Sequence, residues 1–272
     1  MLNKTIGFIG GGNMASAMIG GILSSGLTDA SHLIASAKTE NTRNRLRDSF
    51  GIDVTPSNPK VAEASDILFL AVKPYLYEEI IHEIRDSVAE DTVIVAIAAG
   101  QSIRRIESAF GRDIRLVRSM PNTPALVLEA MSALTPNENI SDEELSEVCS
   151  IFASFGRYEI VPESLMDAVT GVSGSSPAYV YLFIESMADA AVRDGLPRAQ
   201  AYKFSAQSVL GAAKMVLETG RHPGELKDAV CSPGGTTIEA VTRLEAGGFR
   251  SAVIEAQNAC TAKSKAMSGK DD

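Results

Sequence analysis

Thr5-Ile6-Gly7-Phe8-Ile9-Gly10-Gly11-Gly12-Asn13-Met14-Ala15-Ser16-Ala17-Met18-Ile19-Gly20 is the stretch from which the fold can be read. Ile6, Phe8 and Ile9 make an apolar run of strand length that stops at three glycines. Beyond them Met14, Ala15, Ala17, Met18, Ile19 and Ile22 place apolar side chains at helical spacing, so the glycines join a strand to a helix. The register Gly10-x-Gly12-x-x-Ala15 has the G-x-G-x-x-G/A form. In that form the first position allows a tight turn, the second lets backbone approach a pyrophosphate, and the third permits close helix-to-strand packing. N–H groups at the helix start then face the anion. A plain glycine-rich turn is the alternative, and the strand-then-helix context argues against it.

Dinucleotide sites of this kind place a carboxylate about 20 residues further on, at the end of the second strand, to grip the ribose 2′-OH of NAD. Here the second apolar segment, His32 to Ala35, runs into Ser36-Ala37-Lys38-Thr39. Hydroxyls and a lysine suit a 2′-phosphate, so the expected cofactor is NADP(H), with NADPH preferred over NADH. The competing view treats Lys38, Arg43 and Arg45 as a solvated helix face.

The rest of the first half continues the alternation. Asn41–Phe50 reads as a polar helix, residues 51–54 as a short or edge strand, and Pro56 and Pro59 as punctuation of a turn carrying Asn58. Asp66 to Val72 and Thr92 to Ala98 are near-continuous apolar runs, the pattern of parallel strands covered on both faces. Helices are expected over Tyr75–Val88 and Ile103–Phe110. A strand from Ile114 to Arg118 leads into Met120-Pro121-Asn122-Thr123-Pro124. Val72, Ala98 and Met120 should finish on one edge of a doubly wound α/β sheet, the edge where such folds bind ligands. Strands over Ala130–Thr135 and Arg157–Val161 flank a helix opened by the capping box Ser141-x-x-Glu144, and Pro162 closes this half.

Beyond Pro162 strand signals vanish. The expected domains are therefore 1–162, dinucleotide-binding, and 163–272, helical. Ser176–Val192 is apolar almost all round and should be buried on most faces; Pro197–Leu217 is a second long helix, and shorter helices follow to about Met267. A helical half this apolar calls for a second chain to complete its core, so at least a homodimer is expected.

Composition excludes several classes. With 272 residues, 45% hydrophobic, there is material for one large or two ordinary domains, and a net charge of −9 argues against a nucleic-acid partner. Cys149, Cys231 and Cys260 are few and scattered, as are His32, His82 and His222, so neither a disulfide framework, a metal site nor a Ser-His-Asp triad is suggested. No leader is expected ahead of the first strand, and Glu185 and Asp189 interrupt the most apolar helix, so a cytoplasmic protein without membrane attachment is expected.

Two stretches of the second half are small, polar and glycine-bearing: Thr170 to Tyr179, and Val230-Cys231-Ser232-Pro233-Gly234-Gly235-Thr236-Thr237, which opens a helix over Ile238–Leu244. The latter can hold a small carboxylate on helix-terminal N–H groups and bring a Thr hydroxyl to a reacting nitrogen or oxygen. The alternative is an ordinary N-cap in which Ser232 or Thr236 satisfies the free donors.

The segment from Pro223 through Cys231-Ser232-Pro233-Gly234-Gly235-Thr236-Thr237 to Glu245 closely resembles the signature of the Δ1-pyrroline-5-carboxylate reductases. Ile6 to Ala15, Ala71-Val72-Lys73-Pro74, Ala98-Ala99-Gly100, Met120 to Pro124 and Gly171 to Tyr179 resemble the same family in order, so the likeness spans nearly the whole chain. It implies NAD(P)H-dependent reduction of the C=N bond of 1-pyrroline-5-carboxylate to L-proline, the last step of proline synthesis. It also implies a Rossmann domain followed by an all-α dimerisation domain, as in the 6-phosphogluconate-dehydrogenase-like folds. Dimers of such proteins often build a decamer, with the active site between the two domains of the dimer. By position, the resemblance puts Ile9, Gly10, Gly11, Gly12, Asn13, Met14, Lys38, Asn58, Ala71, Val72, Lys73 and Pro74 along the cofactor, beside Ser36, with Ala98 and Ala99 near the nicotinamide ribose. Ser232, Gly234, Gly235, Thr236 and Thr237 would hold the substrate, with Thr237 nearest the ring nitrogen as candidate proton partner. Lys73 is a rival as electrophile or base, and Tyr179 a further candidate to face the pocket.

Two other functions compete. A β-hydroxyacid dehydrogenase shares the order of domains but needs a lysine base soon after a glycine motif, and Gly171 to Ala201 contains none. A non-catalytic dinucleotide-binding module would keep Gly10 to Ala15 without needing the opening at 232–237.

Overall fold

The computed structural model describes residues 2–268. One compact unit comprises the described chain up to Ser175 together with residues 260–268; the other is Ser176–Ala259.

In chain order the first unit contains β1 (Ile6–Ile9), α1 (Asn13–Ser24), β2 (Leu33–Ser36), α2 (Glu40–Phe50), β3 (Asp53–Thr55), α3 (Asn58–Ala64) and β4 (Ile67–Leu70). It continues with α4 (Tyr77–Ile84), β5 (Val93–Ala96), α5 (Ile103–Phe110), β6 (Arg115–Met120), β7 (Ala130–Pro136), α6 (Asp142–Ala153), β8 (Gly156–Ile160) and the short α7 (Met166–Val169). The strands form one sheet in the order β3-β2-β1-β4-β5-β6-β7-β8, in which only the β6/β7 pair is antiparallel. Strand order reverses between β1 and β4, which is where an open α/β sheet leaves a crevice at its carboxyl edge.

The continuous apolar strands follow from burial on both faces. Phe8, Phe69, Val95 and Val117 point to one side, where Phe8 stacks on Phe69 with centroids 4.8 Å apart and Phe152 and Phe155 from the α6 region complete the layer. Ile9, Leu68, Leu70, Ile94 and Leu116 point to the other, against Val61 of α3, Ile81 and Ile84 of α4, and Ile106 and Phe110 of α5. Each such side chain contributes roughly 1.5–3 kcal/mol by leaving water.

One expectation fails here. Asn58 and Pro59 do not sit in a turn: they begin α3, whose N-cap Ser57 accepts from the Lys60 N–H. Proline suits the first turn of a helix because its missing N–H would be unpaired there in any case. The helix expected over Tyr75–Val88 is shorter, because a 3-10 turn, Pro74–Leu76, precedes α4.

The second unit is helical throughout: α8 (Ser176–Arg193), α9 (Arg198–Thr219), α10 (Pro223–Val230), α11 (Thr236–Ala246) and the start of α12 (Phe249–Ser268). The helices after α9 are shorter than its 22 residues, though α12 at 20 is nearly as long. Within one chain α8 stays mostly uncovered, which is consistent with the expectation that a second chain completes this core. Among its described residues only Ala188 is buried, whereas Tyr181 and Leu182 are 61% and 65% exposed. Phe204, Leu210 and Leu217 of α9 are exposed as well. An apolar surface of this extent on adjoining helices marks a face that another chain covers.

Candidate active site

The turn between β1 and α1 has the geometry a nucleotide needs. Gly10 adopts φ +103°, and a Cβ there would lie 2.5 Å from the Ala71 carbonyl oxygen, so the loops after β1 and β4 touch backbone to backbone. Gly12 is the N-cap of α1, and nothing lies within 4 Å of where its Cβ would stand, so a ligand can approach the backbone there. No side chain caps α1 and no acidic residue occupies its first turn, so the N-terminal N–H groups suit an anion. The residues present therefore fit a dinucleotide.

Arg45 of α2 sets this turn from outside, donating from Nη2 to the Gly11 carbonyl at 2.7 Å and from Nη1 to Ser16 Oγ at 2.9 Å. Arg43 donates from Nη1 to the carbonyls of Ala37 and Lys38, each at 2.9 Å, fixing the corner after β2 while Lys38 itself is exposed. The two arginines are thus tied to the loops and are not a free solvated face. Ser36, last residue of β2, is buried; its hydroxyl donates to Asn58 Oδ1 at 2.7 Å, and Asn58 Nδ2 donates to Glu83 Oε2 at 2.8 Å.

The carboxyl ends of β4 and β5 are held together by Tyr77. Its buried hydroxyl donates to the Leu70 carbonyl at 2.7 Å and accepts from the N–H groups of Ile97 and Ala98, both at 3.1 Å. Burial pushes its pKa far above the ordinary tyrosine value, so the hydroxyl keeps the proton it donates. Ala71 to Pro74 and Ala98 to Ala99 thereby share one edge with Ile9 to Met14, and a cleft of about 250 Å³ opens among Pro74, Tyr75, Ala99, Gly100 and Lys263. Lys73 is exposed at the start of the 3-10 turn.

At the carboxyl end of β6 the buried Asn122 donates from Nδ2 to the Ser173 carbonyl and hydroxyl, at 3.2 and 3.3 Å, and accepts the Met131 N–H at 3.0 Å. Ser173 belongs to a π-helical turn, Thr170–Gly174, so the first glycine-bearing stretch is an anchored bulge. Nearby, Arg118 is buried and donates to Glu163 Oε1 at 2.7 Å, and the same oxygen accepts the Ile103 N–H at the start of α5.

In the second unit, α11 starts at Thr236 with Gly235 as N-cap and no side-chain cap, so neither Ser232 nor Thr236 plays the ordinary capping role. Gly234 has φ +67°, and a Cβ on Gly235 would collide with Ser232 Oγ. Ser232 and Thr236 are exposed and Thr237 half-buried, at an opening whose N–H groups suit a small carboxylate. Tyr77, Glu83 and the Arg118–Glu163 pair were not singled out from sequence, and Arg45 entered that reading only as part of a solvated helix face. Among the described residues no cluster of His, Cys, Asp and Glu could hold a metal, and no helix is long and apolar enough to cross a membrane.

Comparison with known proteins agrees with this layout. Residues 163–267 match the family described as pyrroline-5-carboxylate reductase dimerisation, and residues 5–100 match NADP oxidoreductase, coenzyme F420-dependent. The pyrroline-5-carboxylate reductase of Escherichia coli is 51% identical over 98% of this chain and 99% of its own. That of Methanosarcina acetivorans is 43% identical over 99% and 100%. Among solved structures, the Coxiella burnetii pyrroline-5-carboxylate reductase superposes with a TM-score of 0.92 at 33% identity, covering 98% of this chain and 99% of that one. The Plasmodium falciparum pyrroline carboxylate reductase with NADP bound gives 0.88 at 33% identity, covering 98% and 99%. A 3-hydroxyisobutyrate dehydrogenase of Mycobacterium tuberculosis, at 13% identity and a TM-score of 0.53, shares the fold alone. A match to an NADP oxidoreductase family over the sheet, a helical dimerisation region and full-length relatives at 43% and 51% identity converge: the chain belongs to the pyrroline-5-carboxylate reductase family, NAD(P)H-dependent oxidoreductases acting on a C=N bond.

Proposed function

We propose that this protein reduces 1-pyrroline-5-carboxylate to L-proline with NADPH in preference to NADH, dividing the work between residues 1–162, which bind the cofactor, and 163–272, which bind substrate and dimerise. The observation that carries the reading is the uncapped, glycine-flanked start of α11, a second anion-ready helix opening that a bare dinucleotide-binding module would not need. Bound NADPH supplies a hydride for the imine carbon. The chain's own residues do the rest. Gly10, Gly11 and Gly12 with the α1 N-terminus, through Asn13 and Met14, hold the pyrophosphate beside Ile9, and Ser36, Lys38 and Asn58 form the adenosine-ribose end. Ala71, Val72, Lys73, Pro74, Ala98 and Ala99 line the path toward the nicotinamide. Ser232, Gly234, Gly235 and Thr236 receive the substrate carboxylate on N–H and hydroxyl donors. The Thr237 hydroxyl, or a water it positions, delivers the proton that the ring nitrogen gains. Orientation is the main contribution, because a protonated imine is already electrophilic.

The uncovered apolar faces of α8 and α9 support a homodimer, and we infer association of dimers into a decamer and a cytoplasmic setting. The deciding assay follows NADPH oxidation with pyrroline-5-carboxylate against a panel of 3-hydroxy acids; turnover of the hydroxy acids alone would overturn the reading. Thr237→Ala is expected to lower kcat while leaving NADPH binding nearly intact, and unchanged kinetics would remove Thr237 from the mechanism. Lys38→Asp is expected to shift preference toward NADH. A variant still favouring NADPH would show that other groups read the phosphate.

A further inference from the structure

The end of β2 carries no carboxylate of its own, but one from elsewhere in the fold, Glu83, is hydrogen-bonded to it through Asn58. A carboxylate oxygen only accepts hydrogen bonds, so Glu83 Oε2, 2.8 Å from Asn58, fixes the amide nitrogen of Asn58 on its own side. The amide oxygen must then face Ser36, and because that oxygen also only accepts, the Ser36 hydroxyl must donate across 2.7 Å. One acidic side chain on α4 therefore sets the polarity of a two-bond relay ending on the last residue of β2, whose carbonyl in turn accepts the Gly10 N–H at 3.1 Å. An acid at the end of β2 is the device by which dinucleotide folds favour a free ribose 2′-OH over a 2′-phosphate. In this chain the acid stands one residue behind that position.

We propose that Glu83, acting through Asn58 and Ser36, is a specificity-determining positioning residue that limits selectivity for the 2′-phosphate and so keeps NADH usable. The inference rests on the reading above that places Ser36 and Asn58 at the adenosine ribose. Glu83→Gln keeps an acceptor for Asn58 while removing the charge and the fixed polarity. The test is calorimetric titration of the apoprotein with adenosine 2′,5′-bisphosphate and with 5′-AMP, which need no turnover. For an exposed charge acting through one intervening residue, the ratio of the two affinities is expected to rise about threefold in favour of the 2′-phosphate. Affinity for 5′-AMP should change less than about twofold, and the NADPH over NADH ratio of kcat/KM should move the same way.

A ratio that stays constant or falls overturns the proposal; general loosening of the loop would weaken both probes alike and so give the constant ratio. Asn58→Ala separates the two levels of inference. If it weakens both probes while Glu83→Gln leaves the ratio unchanged, only the role of Glu83 is lost. If Asn58→Ala leaves both affinities unchanged, Asn58 is not at the ribose and the underlying placement is overturned as well.

Discussion

Replacing Tyr77 with Phe removes one oxygen that serves three backbone groups, two of them on buried residues and one on the part-buried Ile97. The hydroxyl donates to the Leu70 carbonyl and accepts from the N–H groups of Ile97 and Ala98, while Leu70 and Ala98 are 1% and 7% exposed. Phenylalanine fills nearly the same volume, so the loss is one of hydrogen bonding, not packing. An unpaired buried polar group costs about 1–3 kcal/mol, and partial relaxation of the strand ends puts the total at about 2–4 kcal/mol. Urea denaturation followed by circular dichroism reads that difference directly. The pH dependence supplies an independent check. Burial raises the Tyr77 pKa in the folded protein, whereas the unfolded chain ionises near the ordinary tyrosine value of about 10. Above that pH the unfolded state releases a proton that the native state retains, so stability falls as pH rises, by about 1.4 kcal/mol per unit for this group. The Phe variant lacks the group, and all other titrations cancel in the difference. The stability gap between wild type and Tyr77→Phe should therefore be constant below pH 10 and narrow above it. A gap below about 0.5 kcal/mol at neutral pH, or one independent of pH up to 11, would refute this account of the hydroxyl.

Gly10→Ala and Gly12→Ala should separate folding from binding. The first forces a side chain into φ +103° and against the Ala71 carbonyl, and is expected to cost about 3 kcal/mol or more in thermal or urea unfolding. The second meets no protein atom, so stability should change by less than about 1 kcal/mol while NADPH affinity, read by fluorescence titration, falls more than about tenfold. Glu163→Ala leaves the buried Arg118 guanidinium without its carboxylate and the Ile103 N–H of α5 without its acceptor, while the Ser102 cap remains. Because Glu163 is partly exposed, the expected loss is about 2–3 kcal/mol, and pairing it with Arg118→Met should recover most of it in urea melts.

What sequence revealed and what it hid divide along a physical line. β1, the glycine turn and α1 could be read because strand burial, backbone freedom and helical periodicity are encoded within the local stretch itself. Where the reading failed locally, at Asn58-Pro59, one residue pair suits two structures, and only the side-chain cap from Ser57 and the packing of Val61 decide for helix. α8 was legible in a different way: an all-round apolar helix reports that its surface must leave water, and the expectation of a second chain agrees with the faces that one chain leaves exposed.

The long-range contacts that hold the ligand edge together were hidden for a further reason. Tyr77 reaches Ala98 across 21 residues, Asn58 reaches Glu83 across 25, and Arg45 reaches Gly11 across 34. Each is an ordinary polar side chain on a helix, and nothing in its neighbourhood in sequence distinguishes it from a solvated one. Their partners, however, are backbone or amide groups at strand ends, where the ladder hydrogen bonds have run out and the chain must turn away from the sheet. A doubly wound sheet brings those ends together at one edge, which creates both the ligand crevice and a shortage of backbone partners there. Side chains from the covering helices make up that shortage, so the same topology that creates the site also dictates that long-range polar pins surround it. Mutations at those pins should perturb binding through loop geometry even where the mutated residue touches no ligand.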